Sequence, residues 1–419
     1  MTVTFNEALK VWARIGCLSF GGPAGQIALM HREIVAERQW LSEKDYLSAL
    51  NFCMLLPGPE AMQLATYAGW KLHGVKGGLA AGLLFVLPGA LVVLLLSLLY
   101  ASFGNLPWIT AIFYGVKAAV LAIVIEALLR VARRALQANA DWVIAGLAFL
   151  ALYAFNLPFP LVIIAAALFG FLRSSGNAEA QTTALPSLSS LGQTIAMWAA
   201  IWLLPLAALA LLLGPHHVLT EIGVFFSKLA VVTFGGAYAV LTYMAQAAVE
   251  QKGWLTAPEM IDGLGLAETT PGPLILVTQY VGFLAASREM GSLWGGLLGA
   301  IVTLWMTFAP CFLWIFAGAP YIEAIGKRPR LSGALAAITA AVVGVILNLS
   351  VWFGLHVLFG KVERMDGWFK PWLPDWAGLD WAALALSLLA AVALLRFHLG
   401  VVKTLALCAA LGAIWKLAF

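Results

Sequence analysis

The stretches LLPGPE, residues 55–60, and TTPGPL, residues 269–274, decide how this chain is read. Each interrupts a run of apolar residues with Pro-Gly-Pro, and Glu60 directly follows the first. Proline cannot continue a helix that precedes it, but it suits the first turn of a new one. Each motif therefore ends one half-helix and starts another. In hydrocarbon such a break leaves backbone groups without partners, so it is tolerated only inside protein or beside a wet cavity.

The hydrocarbon setting follows from composition. Of 419 residues, 62% are hydrophobic and 11% charged, and the mean hydropathy is +0.93. Soluble domains carry about 25% charge. Apolar spans at 77–100, 108–129, 142–156, 158–172, 192–213, 294–318, 332–355, 381–396 and 399–418 are long enough, or nearly so, for about 30 Å of hydrocarbon. Seventeen tryptophans suit interfacial belts. The net charge of +4 is spread over loops and offers nothing to a nucleic acid. Cys17, Cys53, Cys311 and Cys408 stand apart in apolar stretches, which predicts reduced packing residues. The opening MTVTFNEALKVWARIG lacks the apolar core of a cleaved signal peptide. There is no HExxH, GxSxG, nucleotide-binding loop or histidine cluster, so the expectation is a protein that is not an enzyme and holds no cofactor or metal.

The chain repeats itself. A shift of 214 residues superposes Phe20-Gly21-Gly22 on Phe234-Gly235-Gly236, Trp40-Leu41 on Trp254-Leu255, and Pro57-Gly58-Pro59 on Pro271-Gly272-Pro273. Farther on, a shift of 222 matches Pro88 with Pro310 and Ala118-Ala119-Val120 with Ala340-Ala341-Val342. The expected organisation is a first repeat, 1–173, a linker with one connecting membrane helix, 174–214, and a second repeat, 215–419. Each repeat holds two broken segments and four ordinary spans. The single helix between them inverts the second repeat. Lys71, Lys76, Arg130, Arg133, Arg134, Arg173, Lys327, Arg328, Arg330, Arg396 and Lys403 then fall inside, with Arg288 and the mixed-charge loop 357–380 as the exceptions. The expected fold is an all-α polytopic membrane protein of two inverted-topology repeats with discontinuous helices. It has about 13 membrane segments, with the N-terminus inside and the C-terminus outside.

Half-helix N-termini near mid-membrane present N–H groups and the positive end of a dipole, which favours anions. The candidate substrate site is therefore Pro57, Gly58, Pro59, Thr270, Pro271, Gly272 and Pro273, together with the Gly-Gly breaks Ser19, Phe20, Gly21, Gly22 and Thr233, Phe234, Gly235, Gly236. Hydroxyls of Ser19, Thr233, Thr269 and Thr270 suit oxyanion oxygens, although in membrane helices they more often bond their own backbone. Lys117, opposite Thr339 in the repeat, can supply charge to an anion or pair with a carboxylate such as Glu60. Arg14 and Lys228 stand six residues before each Phe-Gly-Gly and can reach the break or snorkel to an interface. Glu60 and Glu268 are either plain helix caps or carriers of a coupling proton. Gln63 and Gln279 are further polar positions, Glu126 reads as a partner of Arg130, and His216-His217 reads as solvated loop. Inverted repeats whose broken helices meet at the midplane are the plan of secondary transporters. The alternative is that the breaks are kinks that only shape packing.

SFGGPAGQIALMHREIV (19–35), LLPGPEAMQLATYAGWKLHGVKGGLAAGLLFVLP (55–88), TFGGAYAVLTYM (233–244) and TTPGPLILVTQYVGF (269–283) resemble the chromate ion transporter family in its long, two-domain form. The resemblance covers essentially the whole chain. It implies a multi-pass carrier of the bacterial inner membrane that exports chromate and confers chromate resistance, with sulfate the expected competitor. A sulfate or other oxyanion carrier is the alternative, followed by an anion channel, and a homodimer is compatible with the sequence. One departure stands out: Ala237 replaces Pro23 at the second Gly-Gly break. Expelling a dianion from a cell that is negative inside is favoured by about 4.6 kcal/mol per 100 mV, so membrane potential or proton-motive force can drive it.

Overall fold

The structure, a computed structural model, describes residues 3–20, 22–174, 188–234, 237–322 and 329–418. These residues are helical nearly throughout, and six of the helices are long and apolar enough to cross a membrane. The protein is an all-α polytopic membrane protein. Gly21, Gly235, Gly236, Lys327 and Arg328 lie outside the described residues, as does most of the polar linker.

The first half opens with α1 (Phe5–Leu18), capped by the Thr4 hydroxyl, which accepts from the Glu7 N–H. Ala8, Val11, Trp12 and Ile15 recur at helical spacing and form its buried face. Then come α2 (Gly22–His31), a π-helical turn (Arg32–Glu37), α3 (Glu43–Cys53), α4 (Glu60–Phe103), α5 (Pro107–Ala135), α6 (Asn139–Tyr153) and α7 (Phe159–Arg173). The connecting helix is α8 (Leu188–Leu213). The second half runs through α9 (Val218–Val232), α10 (Ala237–Gln246), a second π-helical turn (Ala247–Gln251), α11 (Ala257–Thr269), α12 (Val277–Glu289), α13 (Leu293–Gly318), α14 (Pro329–Leu358), α15 (Trp381–Leu395) and α16 (Val401–Ala418).

The 214-residue register persists in the backbone. Trp40 N–H donates to Ile34 O at 2.8 Å, and Trp254 N–H to Ala248 O at 2.8 Å. Helix α3 starts on Ser42 with Asp45 three residues on; α11 starts on Thr256 with Glu259 three residues on. Each N-cap hydroxyl accepts the N–H three residues on; at Thr256 the cap is reciprocal, its N–H donating to Glu259, whereas at Ser42 it is the hydroxyl that donates to Asp45. Helix α4 is two arms, 60–72 and 75–103, parted by non-helical backbone at His73 and Gly74. Gly69 and Gly77 touch across this turn, as Gly282 and Gly299 touch between α12 and α13. Small residues let helix backbones approach this closely in a membrane.

Two expectations need adjusting. The loop at 357–380 contains a β-hairpin, β1 (Val362–Arg364) and β2 (Trp372–Pro374), paired antiparallel with Glu363 opposite Leu373. Strands of three residues are too short to show a period in the sequence. The histidine pair is not simply solvated loop: His217 Nδ1 accepts from Leu219 N–H at 3.2 Å and caps α9. In addition, α6, α7 and α15 each have 15 residues. At about 1.5 Å per residue they fall short of a full hydrocarbon width on their own.

The chain forms two compact units, and each draws on both halves. One is built from 1–98, 176–237 and 270–329; the other from 99–175, 238–269 and 330–419. The first unit holds the described residues of all four breaks. In the second, the repeats pair crosswise. Helix α5 packs on α15 and α16, with Gly115 against the backbone of Cys408, while α14 meets α6 at Gly344 and α7 at Gly333.

Candidate functional site

The four breaks are joined in crossed pairs. Gly58 N–H, in the first Pro-Gly-Pro, donates to Thr233 O at the second half's Gly-Gly break, at 2.8 Å. Gly272 N–H, in the second Pro-Gly-Pro, donates to Ser19 O at the first half's break, also at 2.8 Å. The 214-residue shift maps one bond onto the other. A contact and its reciprocal between two equivalent segments is the signature of a two-fold relation. Gly58 and Gly272 have φ of +119° and +87°, values that favour glycine.

Two buried glutamines complete the junctions. Gln26 Nε2 donates to Gly272 O at 2.6 Å and reaches Ser19 O at 3.4 Å. Gln63 Nε2 donates to Pro57 O at 2.7 Å. Because only the amide nitrogen can donate to a carbonyl, both orientations are set, and each Oε1 is buried without a hydrogen-bond partner among the described residues. Gln26 was not singled out from the sequence. Its signal was a lone amide seven residues after Ser19.

The hydroxyls behave as membrane-helix hydroxyls usually do. Ser19 Oγ donates to Ile15 O and Thr233 Oγ1 to Leu229 O, both at 2.6 Å and in matching register. Their protons are thus engaged within their own helices. The glycine N–H groups of the Pro-Gly-Pro motifs are engaged too, which differs from the expectation that each motif would leave them open. The donors left over lie just beyond. Gln63 N–H, bonding to Pro59 O at 3.1 Å, is the first to close a turn of α4, so those of Ala61 and Met62 precede the helical ladder. In the second half Leu276 N–H closes the first turn on Pro273 O at 2.9 Å. Pro57, Gly58, Pro59, Thr270, Pro271, Gly272 and Pro273 are all buried, whereas Phe20 is exposed.

The charged candidates separate. Arg14 Nε lies 3.5 Å from Glu33 Oε1, and Arg38 Nη1 lies 2.6 Å from Glu33 Oε2. A straight helix would place residues 14 and 33 about 28 Å apart, so the chain folds back at its first break. Glu33 is fully buried and holds Arg14 there. The charged run HREIVAER, residues 31–38, was the available signal for it. Lys228 is exposed, and Glu60 is half-buried at the first residue of α4. Lys117 and Glu268 belong to the other unit. Lys117 Nζ lies 3.5 Å from Asp262 Oδ2, which also accepts from Tyr100 OH at 2.8 Å. Glu268 accepts from Tyr238 OH at 2.6 Å. Arg130 pairs with Glu126 at 2.6 Å, one turn away as expected. Asp262 was missed; a single carboxylate inside the apolar run MIDGLGL could have marked it.

Among known proteins, the family model described as Chromate transporter matches residues 7–171 and again residues 220–413. The chain is 34% identical to the chromate transport protein of Pseudomonas aeruginosa, over 82% of this chain and 80% of that one. It is 32% identical to the chromate transport protein of Cupriavidus metallidurans, over 82% and 81%. With the probable chromate transport protein of Synechococcus elongatus it shares 30% identity, over 87% and 90%. No solved structure matches.

Proposed function

The chain belongs to the chromate transporter family, and from that premise we propose that it is a secondary transporter that carries chromate out of the cell across the inner membrane. The observation that carries this reading is the crossed pair of junctions, Gly58 to Thr233 and Gly272 to Ser19. They hold two helix starts of opposite halves within one unit. Chromate near neutral pH offers only acceptor oxygens. The N–H groups ahead of the first closed turn after each Pro-Gly-Pro, with the positive helix ends, suit it. Pro57, Gly58, Pro59, Thr270, Pro271, Gly272 and Pro273 shape these starts. Ser19, Phe20, Gly22, Thr233 and Phe234 belong to the matching breaks, and Gly21, Gly235 and Gly236, which lie outside the described residues, complete the candidate set. Export of the dianion runs down the membrane potential, and cells carrying the protein tolerate chromate.

The reciprocal contacts also support a two-fold relation between the halves, which an inverted repeat with its axis in the membrane plane would supply. Radiolabelled chromate uptake into inside-out vesicles tests the function. Uptake is expected to saturate, to rise when an interior-positive potential is imposed, and to fall in excess sulfate. Vesicles that accumulate sulfate but not chromate would move the substrate to another oxyanion. Flux without saturation or counterflow would indicate a channel.

A further inference from the structure

We propose that Asp262 is a proton-binding site that couples proton movement to anion transport, with Lys117 as its exchangeable counter-charge. The inference rests on the transport reading above. Asp262 lies on α11 and is 4% exposed. Its Oδ2 accepts from Tyr100 at 2.8 Å and faces Lys117 Nζ at 3.5 Å. Its Oδ1 is buried with no hydrogen-bond partner among the described residues.

Other charges on the surrounding elements do not replace Lys117. Tyr100 comes from the end of α4 and Lys117 from α5. On α11 itself Glu259, engaged with Thr256, adds like charge. Helix α16 packs against α11 and carries Lys403, Cys408 and Lys416; Lys416 Nζ sits 4.7 Å above the ring of Tyr114. None of these forms an ion pair with Asp262. Among the described residues, one lysine at 3.5 Å therefore stands between this carboxylate and an unpaired buried charge. A buried carboxylate that loses its cation takes up a proton rather than remain charged. Whenever Lys117 moves away, a proton passes from water to the free oxygen of Asp262. When Lys117 returns, the proton leaves.

The repeat does not carry this ion pair twice. The first-half counterpart of Asp262 is Ser48, and the second-half counterpart of Lys117 is Thr339. A scaffold built twice with the ion pair placed once points to function rather than to packing.

The test uses the full chain in proteoliposomes with a pH dye inside, the potential clamped at zero, and radiolabelled chromate. Wild-type protein should exchange chromate, and net chromate flux should shift the interior pH and respond to an imposed pH gradient. Asp262→Asn should lose about tenfold of that response, the size of an ordinary coupling between two sites. Asp262→Glu should keep the response with a displaced pH profile, because its carboxyl sits one methylene farther out. Chromate exchange with no proton movement in wild type overturns this inference and leaves the transport reading standing. Absence of exchange removes both. A pH response retained in Asp262→Asn also overturns it. Should that variant not fold, an Asp262→Glu profile superimposable on wild type does the same.

Discussion

Gly58 and Gly272 combine three demands in one residue each. Their φ values suit glycine, their N–H groups join the two halves, and their α-carbons face close neighbours. A methyl group on Gly58 would lie 2.7 Å from Gln63 Nε2 and 3.0 Å from Cys311 Sγ. On Gly272 it would lie 3.1 Å from Leu276 Cδ1. Gly58→Ala and Gly272→Ala each force a strained backbone worth about 1–3 kcal/mol. Both variants should insert into the membrane yet show reduced chromate flux in vesicles, and full flux in both would remove the breaks from the site. Gln26→Leu leaves Gly272 O buried without its 2.6 Å donor. Losing such a partner costs about 1–3 kcal/mol, so its melting temperature in detergent should fall. At this scale the sequence was informative about the glycines, because Pro-Gly-Pro has few conformations. It was silent on Gln26, because an amide that serves a carbonyl on the other half of the chain leaves no local trace.

Among the elements, the helices were legible and the hairpin was not. Long apolar runs and caps such as Thr256 with Glu259 reveal helices from local chemistry. The hairpin at 362–374 instead depends on distant partners. Arg364 Nη1 donates to Glu250 Oε2 at 2.7 Å, its Nε donates to Lys370 O at 3.1 Å, and its guanidinium lies 5.0 Å from the ring centre of Trp372. The two charged side chains are 15% and 20% exposed. Breaking a fully buried pair costs about 3–5 kcal/mol, and the residual solvent contact lowers the expectation for Arg364→Met to about 2–3 kcal/mol. Thermal unfolding of the purified protein should show this as a lower melting temperature. An unchanged one would mean that the hairpin does not depend on the pair. The hairpin lies in the connection between α14 and α15, whereas in the first half only residues 136–138 part α5 from α6.

For the whole molecule, the proposed inversion of the repeats makes a directional prediction. Alkaline phosphatase, which works only outside the cytoplasm, should be active when fused to the C-terminus and inactive at the N-terminus. Activity at the N-terminus, or inactivity at the C-terminus, would reject the inverted topology. The sequence by itself determined the membrane class, the doubling of the chain, the four breaks and the resemblance to chromate transporters. Hydropathy, Pro-Gly-Pro chemistry and a constant register are properties of the chain alone, readable without knowing what touches what. Only the tertiary structure decided that each Pro-Gly-Pro glycine bonds the opposite half's Gly-Gly break, that the hydroxyls of Ser19 and Thr233 are spent on their own helices, and that Lys117 meets Asp262 while Arg14 meets Glu33. Such partnerships arise because a buried donor or charge takes whichever acceptor the packing brings within about 3 Å. Packing joins residues that the chain keeps far apart.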